Sequence, residues 1–213
     1  MRRPRHLLLM LGALLAVAGC ASLRPKAPTS PLRWTLDADT PVALGWGEVA
    51  RIDASEALQS DRLLVVRGAE LLQHAQFRWY ARPAQMLDER LRWQGGAAPP
   101  APLLDGAKLD LFVHAFELRV DAAGQASARV ALSAVMHCPV RDAAASVELG
   151  ATEQDVALND QAAQRLTDGF AAATDAALAT LATRARQAAM RCAQATEAAA
   201  ATVADRDADR ASP

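Results

Sequence analysis

The chain has 213 residues, with 23 Lys and Arg against 24 Asp and Glu and a formal net charge of −1. That balance lacks the basic footprint a nucleic-acid binder needs, so no nucleic-acid partner is expected. Only 4% of residues are aromatic although 52% are hydrophobic, so the core must be built mainly from Leu, Val and Ala.

Arg2, Arg3 and Arg5 precede a short apolar run that ends in Ala18-Gly19-Cys20. A basic start, a short apolar stretch and small residues before a cleavage point read as a signal peptide over residues 1–19. The run is shorter than the roughly 20 apolar residues that span a bilayer. A cysteine directly after two small residues matches a bacterial lipobox, so Cys20 is the expected lipidation site and the first residue of the mature chain. Removing three signal-peptide arginines takes the net charge from −1 to −4. Several acyl chains anchor a protein stably where one does not. Ala21, where an Asp would favour inner-membrane retention, points to the periplasmic face of the outer membrane. Residues 20–31 hold Pro25, Pro28 and Pro31 and no hydrophobic period. They read as a tether, which extended would reach roughly 35 Å.

Residues 32–192 form the expected domain. Trp34-Thr35-Leu36 is a short strand candidate. Val42, Leu44, Trp46 and Ile52 alternate, with Gly45 and Gly47 marking a bulge or close packing. Residues 53–60 are polar and turn-like. Residues 62–66 form a strand, Arg67-Gly68 a turn, residues 70–74 the return, and residues 77–80 follow. Pro83 suits the first turn of a helix carrying Met86, Leu87 and Leu91. Residues 94–102, rich in Gly and Pro, predict a loop. Residues 109–120 are the strongest strand. Strict alternation puts Leu109, Leu111 and Val113 on one face and Phe112, Phe116, Leu118 and Val120 on the other, as in a central strand. Asp121 to Gly124 is a hairpin turn. In the next strand Val130, Leu132, Ala134 and Met136 point inward, and Arg129 and Ser133 outward. Residues 147–156 form a further strand. Asn159 or Asp160 can cap a long helix with the stripe Leu166, Phe170, Ala173, Ala177, Leu178 and Leu181. Residues 193–213 read as a disordered, alanine-rich tail. This order predicts a single α+β domain. A mostly antiparallel sheet carries a short helix and a long C-terminal amphipathic helix packed on one face.

Candidate chemistry is sparse. His114 and Glu117, three apart in a strand, should face opposite sides and so not share a metal. His137 and Cys138 also point apart, and zinc would need distant further ligands. No zinc-protease, nucleophile-elbow or phosphate-loop motif is present. No catalytic residue, metal or cofactor is therefore expected. Trp46, Trp79 and Trp93 read as core or rim residues, Trp93 the most exposed of them. Cys138 and Cys192 remain after Cys20 is acylated, in a compartment that permits disulfides. A strand of ~40 Å is matched by about 26 helical residues, so the returning helix draws level with Cys138 a few residues before Cys192. A Cys138–Cys192 disulfide fits this geometry; two free thiols are the alternative.

The order of pieces is itself a pattern. A lipobox and tether precede Trp34-Thr35-Leu36. Next come Asp61-Arg62 to Arg67, Phe77-Arg78-Trp79, the Pro83 helix, a central strand from Leu109 to Phe116, two hairpin strands and a closing helix. Over roughly residues 34–187 this resembles the ABC-type transport auxiliary lipoprotein family. The resemblance implies a non-enzymatic component of intermembrane phospholipid transport, working with an MCE-domain protein and ABC transporter subunits. It also leaves room for a homo-oligomeric ring. Residues 94–102 depart from the family, where a longer helix and strand are expected. An alternative of another class is a structural lipoprotein that helps assemble or plug an outer-membrane protein.

Overall fold

The computed structural model describes residues 33–36, 48–92, 106–139 and 146–211, with side chains up to residue 194. Cys20, the signal peptide, the tether, Trp46, Trp93 and the loop at 94–102 lie outside the described residues. In chain order the elements are β1 (Arg33–Trp34), β2 (Glu48–Ala54), a 3-10 turn (Glu56–Leu58), β3 (Arg62–Arg67) and β4 (Glu70–Trp79). Then follow α1 (Pro83–Arg92), β5 (Lys108–Val120), β6 (Ala126–His137), β7 (Ser146–Leu158) and α2 (Ala163–Ala211).

The fold is α+β. Seven strands form one mixed sheet in the order β1-β4-β3-β5-β6-β7, with β2 also on β5. The long pairings β5–β6 and β6–β7 are antiparallel, whereas β1–β4, β2–β5 and β3–β5 are parallel. β5 is central as its composition implies. β6 lies along one side, while β2 and then β3 share the other, β2 beside residues 108–113 and β3 beside 117–120.

That change of neighbour coincides with a bulge. Val113 pairs with Leu132 and Ala115 with Ala131, leaving His114 as an extra residue. Such an insertion shifts the side-chain alternation by one. The two-faced reading of β5 is thereby corrected: Leu109, Leu111 and Val113 are buried together with Phe116, Leu118 and Val120. Phe112 lies on the opposite face and is exposed. Ser55, in the gap between β2 and the 3-10 turn, donates from its backbone to Val113 O and from its hydroxyl to His114 O, at 3.0 and 3.3 Å. The kinked backbone therefore keeps its hydrogen bonds.

α2 covers the inner face of β6 and β7. Its stripe from Leu166 through Leu181 is buried as the periodicity implies, and Ala185, Ala188, Ala189 and Cys192 continue it. Alanines here let the helix lie close to the sheet. Asp160 Oδ1 accepts from Ala162 N at 2.9 Å, bracing the turn just before the helix. A chain of rings joins the layers: Phe77 meets Trp79 edge-on, and Trp79 meets both Phe116 and Phe170, at centroid separations of 4.9, 5.2 and 5.1 Å. Trp79 is fully buried.

Pro83 opens α1, where its missing N–H is harmless. Met86 and Leu87 are buried. Arg90 donates to Asp175 on α2 and to Leu36 O, tying both helices to the segment after β1. The alanine-rich stretch read as a tail begins inside α2. α2 runs on to Ala211, because alanine has the highest helix propensity and keeps a backbone helical beyond any strand support.

Candidate functional site

The sequence nominated two kinds of site inside the described residues: the cysteine pair and the histidines of β5 and β6. β6 ends at His137, so Cys138 leaves the sheet at the end that α2 reaches with Cys192. The two cysteines form a disulfide, with Cα atoms 5.7 Å apart and a sequence separation of 54. Both are buried. The bridge fastens the helix to the sheet at the point where the strands stop.

His137 points away from Cys138, as expected from alternation. Its Nε2 lies 3.1 Å from Asp110 Oδ2 across the β5–β6 pair. Arg51 reaches the same carboxylate at 3.8 Å from β2.

His114 and Glu117 behave differently from the reading made on spacing. The bulge brings both to the outer face, the one α2 does not cover. There they line a shallow depression with Ala115, Arg129, Ala131 and Glu153. Within it His114 Nε2 is 2.7 Å from Ser133 Oγ. Glu117 accepts instead from Arg129, at 3.1 Å. Arg129 also donates to Glu153 on β7 at 2.7 Å, so one guanidinium ties three adjacent strands. Its hydrogen bond to Glu153 raises the Arg129 pKa, against the opposing effect of burial. The same bond holds the Glu153 carboxyl below its ordinary range. The carboxylates are thus occupied by a cation of the protein itself. A histidine beside a serine hydroxyl is two parts of a nucleophilic site, but Glu117 is engaged by Arg129 rather than orienting the imidazole.

Sequence reading missed a second bulge, in β7. Leu149 is the extra residue between Glu148 and Gly150, and Gly150 takes φ +72°, where glycine is favoured. Arg184 of α2 donates to Leu149 O and Ala151 O at 3.0 and 2.8 Å. The glycine was the available signal; the helical arginine that fits it was not legible.

No protein-family model and no curated protein matches the chain. Among solved structures, a protein of Xanthomonas campestris described as a DUF330 family member aligns over 78% of this chain and 95% of its own. Its identity is 19% and its TM-score 0.48. A second, described as uncharacterized, aligns over 71% of this chain and 95% of its own, with 10% identity and a TM-score of 0.49. Neither description names an activity.

Proposed function

We propose that the protein is a lipoprotein anchored through Cys20 to the periplasmic face of the outer membrane. There it serves as a non-catalytic docking component of an intermembrane phospholipid transport system, engaging an MCE-domain protein and its ABC transporter. The observation that carries the reading is the buried Cys138–Cys192 bridge. Disulfides persist in the periplasm and are rare in the reducing cytosol. A bridge at the far end of the domain and a lipobox at the N-terminus therefore point to the same compartment by independent chemistry. The partner assignment rests on the family resemblance of the strand and helix order.

The test is a crosslinking capture of the acylated protein from native envelopes, with Cys20→Ala as the comparison. The expected result is palmitate incorporation at Cys20 together with recovery of an MCE-domain protein or transporter subunit, reduced in the variant. Recovery of an outer-membrane β-barrel without those subunits would replace this role with the assembly role. A chain that takes up no fatty acid would overturn the anchoring itself.

A further inference from the structure

The tip of the β3–β4 hairpin exposes leucine on both of its faces. Residues Glu70 to Gln73 are exposed without exception, and within them Leu71 and Leu72 are 54% and 45% exposed. Neighbours in a strand point to opposite sides. Leu71 is in register with Val66 and Leu72 with Val65. The helices pack chiefly on β2, β5, β6 and β7, and Phe170 of α2 meets β4 at Trp79, the end of that strand away from the tip. Beyond the β1 contact at Arg78 and Trp79, no strand lies beside the outer edge of β4 among the described residues.

We infer that this tip, Leu71 and Leu72 above all, inserts into the surface of the phospholipid membrane to which the chain is anchored. The inference rests on the lipid-anchor reading above. Two observations select a bilayer over a protein partner. A protein surface docked on a strand covers one face, whereas the interfacial layer of a bilayer can surround both. The direction of β1 also suits an N-terminal anchor. β1 runs parallel to β4, so its N-terminal end, Arg33, faces the Leu71 end of that strand. Thirteen Cα–Cα steps lead from Cys20 to Arg33 and can span up to about 43 Å. The seven steps from Leu71 to Arg78 cover at most about 24 Å of strand, and less here because β4 bulges between Gln73 and Arg78. The link is thus long enough for the tip to meet the membrane while Cys20 stays acylated in it. Arg67 pairs in register with Glu70, so charge at the turn is balanced. The insertion is apolar and should respond little to salt.

The experiment uses the full acylated chain carrying Leu72→Cys labelled with an environment-sensitive fluorophore. It is reconstituted in vesicles of phosphatidylethanolamine and phosphatidylglycerol containing nitroxide lipid quenchers. Gln85→Cys on α1, exposed and away from the tip, is the reference position. The inference expects a blue-shifted, quenched label at 72, lying within about 5–10 Å of the headgroup–acyl boundary, and an unquenched label at 85. Adding Leu71→Asp should abolish the quenching at 72. Three results would overturn it: a label at 72 that stays in water, a blue shift without lipid quenching, or quenching that survives Leu71→Asp. The second would assign the tip to contact with protein, including a second copy of the chain. Mass analysis of each sample separates the premises: without acyl chains the anchor reading fails too, whereas an acylated chain with an unquenched tip refutes the insertion alone.

Discussion

Arg129 lies between two carboxylates but leans towards one. The bond to Glu153 is shorter than that to Glu117, and it is what depresses the Glu153 pKa. A carboxyl whose folded pKa is lowered stabilises the fold above its unfolded value. That contribution disappears as pH falls through the folded value. The window therefore opens near the ordinary glutamate value of about 4.3 and extends to more acid pH. Glu153→Gln should flatten the acid-side decline of Tm followed by circular dichroism by lowering the neutral Tm, and only slightly because Glu153 is about half exposed, while leaving the Tm in acid unchanged. An unchanged acid slope would show that the bond does not persist in solution. Gly169 poses a steric question instead. A Cβ there would overlap the Leu158 Cδ2 methyl and sit 3.4 Å from Ala128 Cβ. The first obstacle is the tip of a half-buried side chain that can rotate, and alanine gains helix propensity of roughly 0.5–1 kcal/mol. In urea unfolding, Gly169→Ala should thus stay within about 1 kcal/mol of the parent, whereas Gly169→Leu should lose about 1–3 kcal/mol through overpacking.

The disulfide is the chief covalent constraint on how α2 meets the sheet. Without it the helix would rely on its apolar stripe and on Arg184 and Asp175, which bond to β7 and α1. A closed loop of this length stabilises by about 2–4 kcal/mol, largely by restricting the unfolded chain. The double variant Cys138→Ser/Cys192→Ser should lose that amount in denaturant unfolding under non-reducing conditions. A loss below about 0.5 kcal/mol would mean the thiols are not bridged in the parent protein. The placement of this pair was legible because strand rise and helix rise are fixed lengths, and the stripe was legible because helical period is fixed too. The bulge at His114 was not. A bulge inserts one residue without changing composition, and here no glycine marks it; the carbonyls it redirects are met by Ser55, 59 residues away in sequence. The error was consequential, since it put His114 and Glu117 on opposite faces and Phe112 on the same face as Phe116, Leu118 and Val120. Gly45 and Gly47, read as marking a bulge or close packing, lie outside the described residues, and the irregularity that β2 does show falls at Ala50, which no glycine marks.

At the scale of the molecule, the two ends of the sheet are unlike. The β3–β4 tip is level with the β5–β6 turn, because Arg67 pairs with Val120 and Val120 with Ala126. α2 begins near that end, after Leu158, which pairs with Ala126. It passes the opposite end at Cys192, beside Cys138. Nineteen further residues to Ala211 extend the helix by about 28 Å, past the last residue of β6. A helix segment without a strand beneath it adds little to the cooperative unit, since most helical stability in proteins comes from packing an amphipathic face. A chain ending at Gln194 should accordingly keep its disulfide and a Tm within a few degrees of the full chain. Its far-ultraviolet helical signal should fall by an amount matching the 17 residues from 195 to 211. A large drop in Tm would show that the extension folds back on the domain. A helical signal that does not fall would show that these alanines are unwound in water, as short isolated helices tend to be. The extension would then be helical only when something covers it, and its direction, away from the leucine tip, would set the side from which that cover comes.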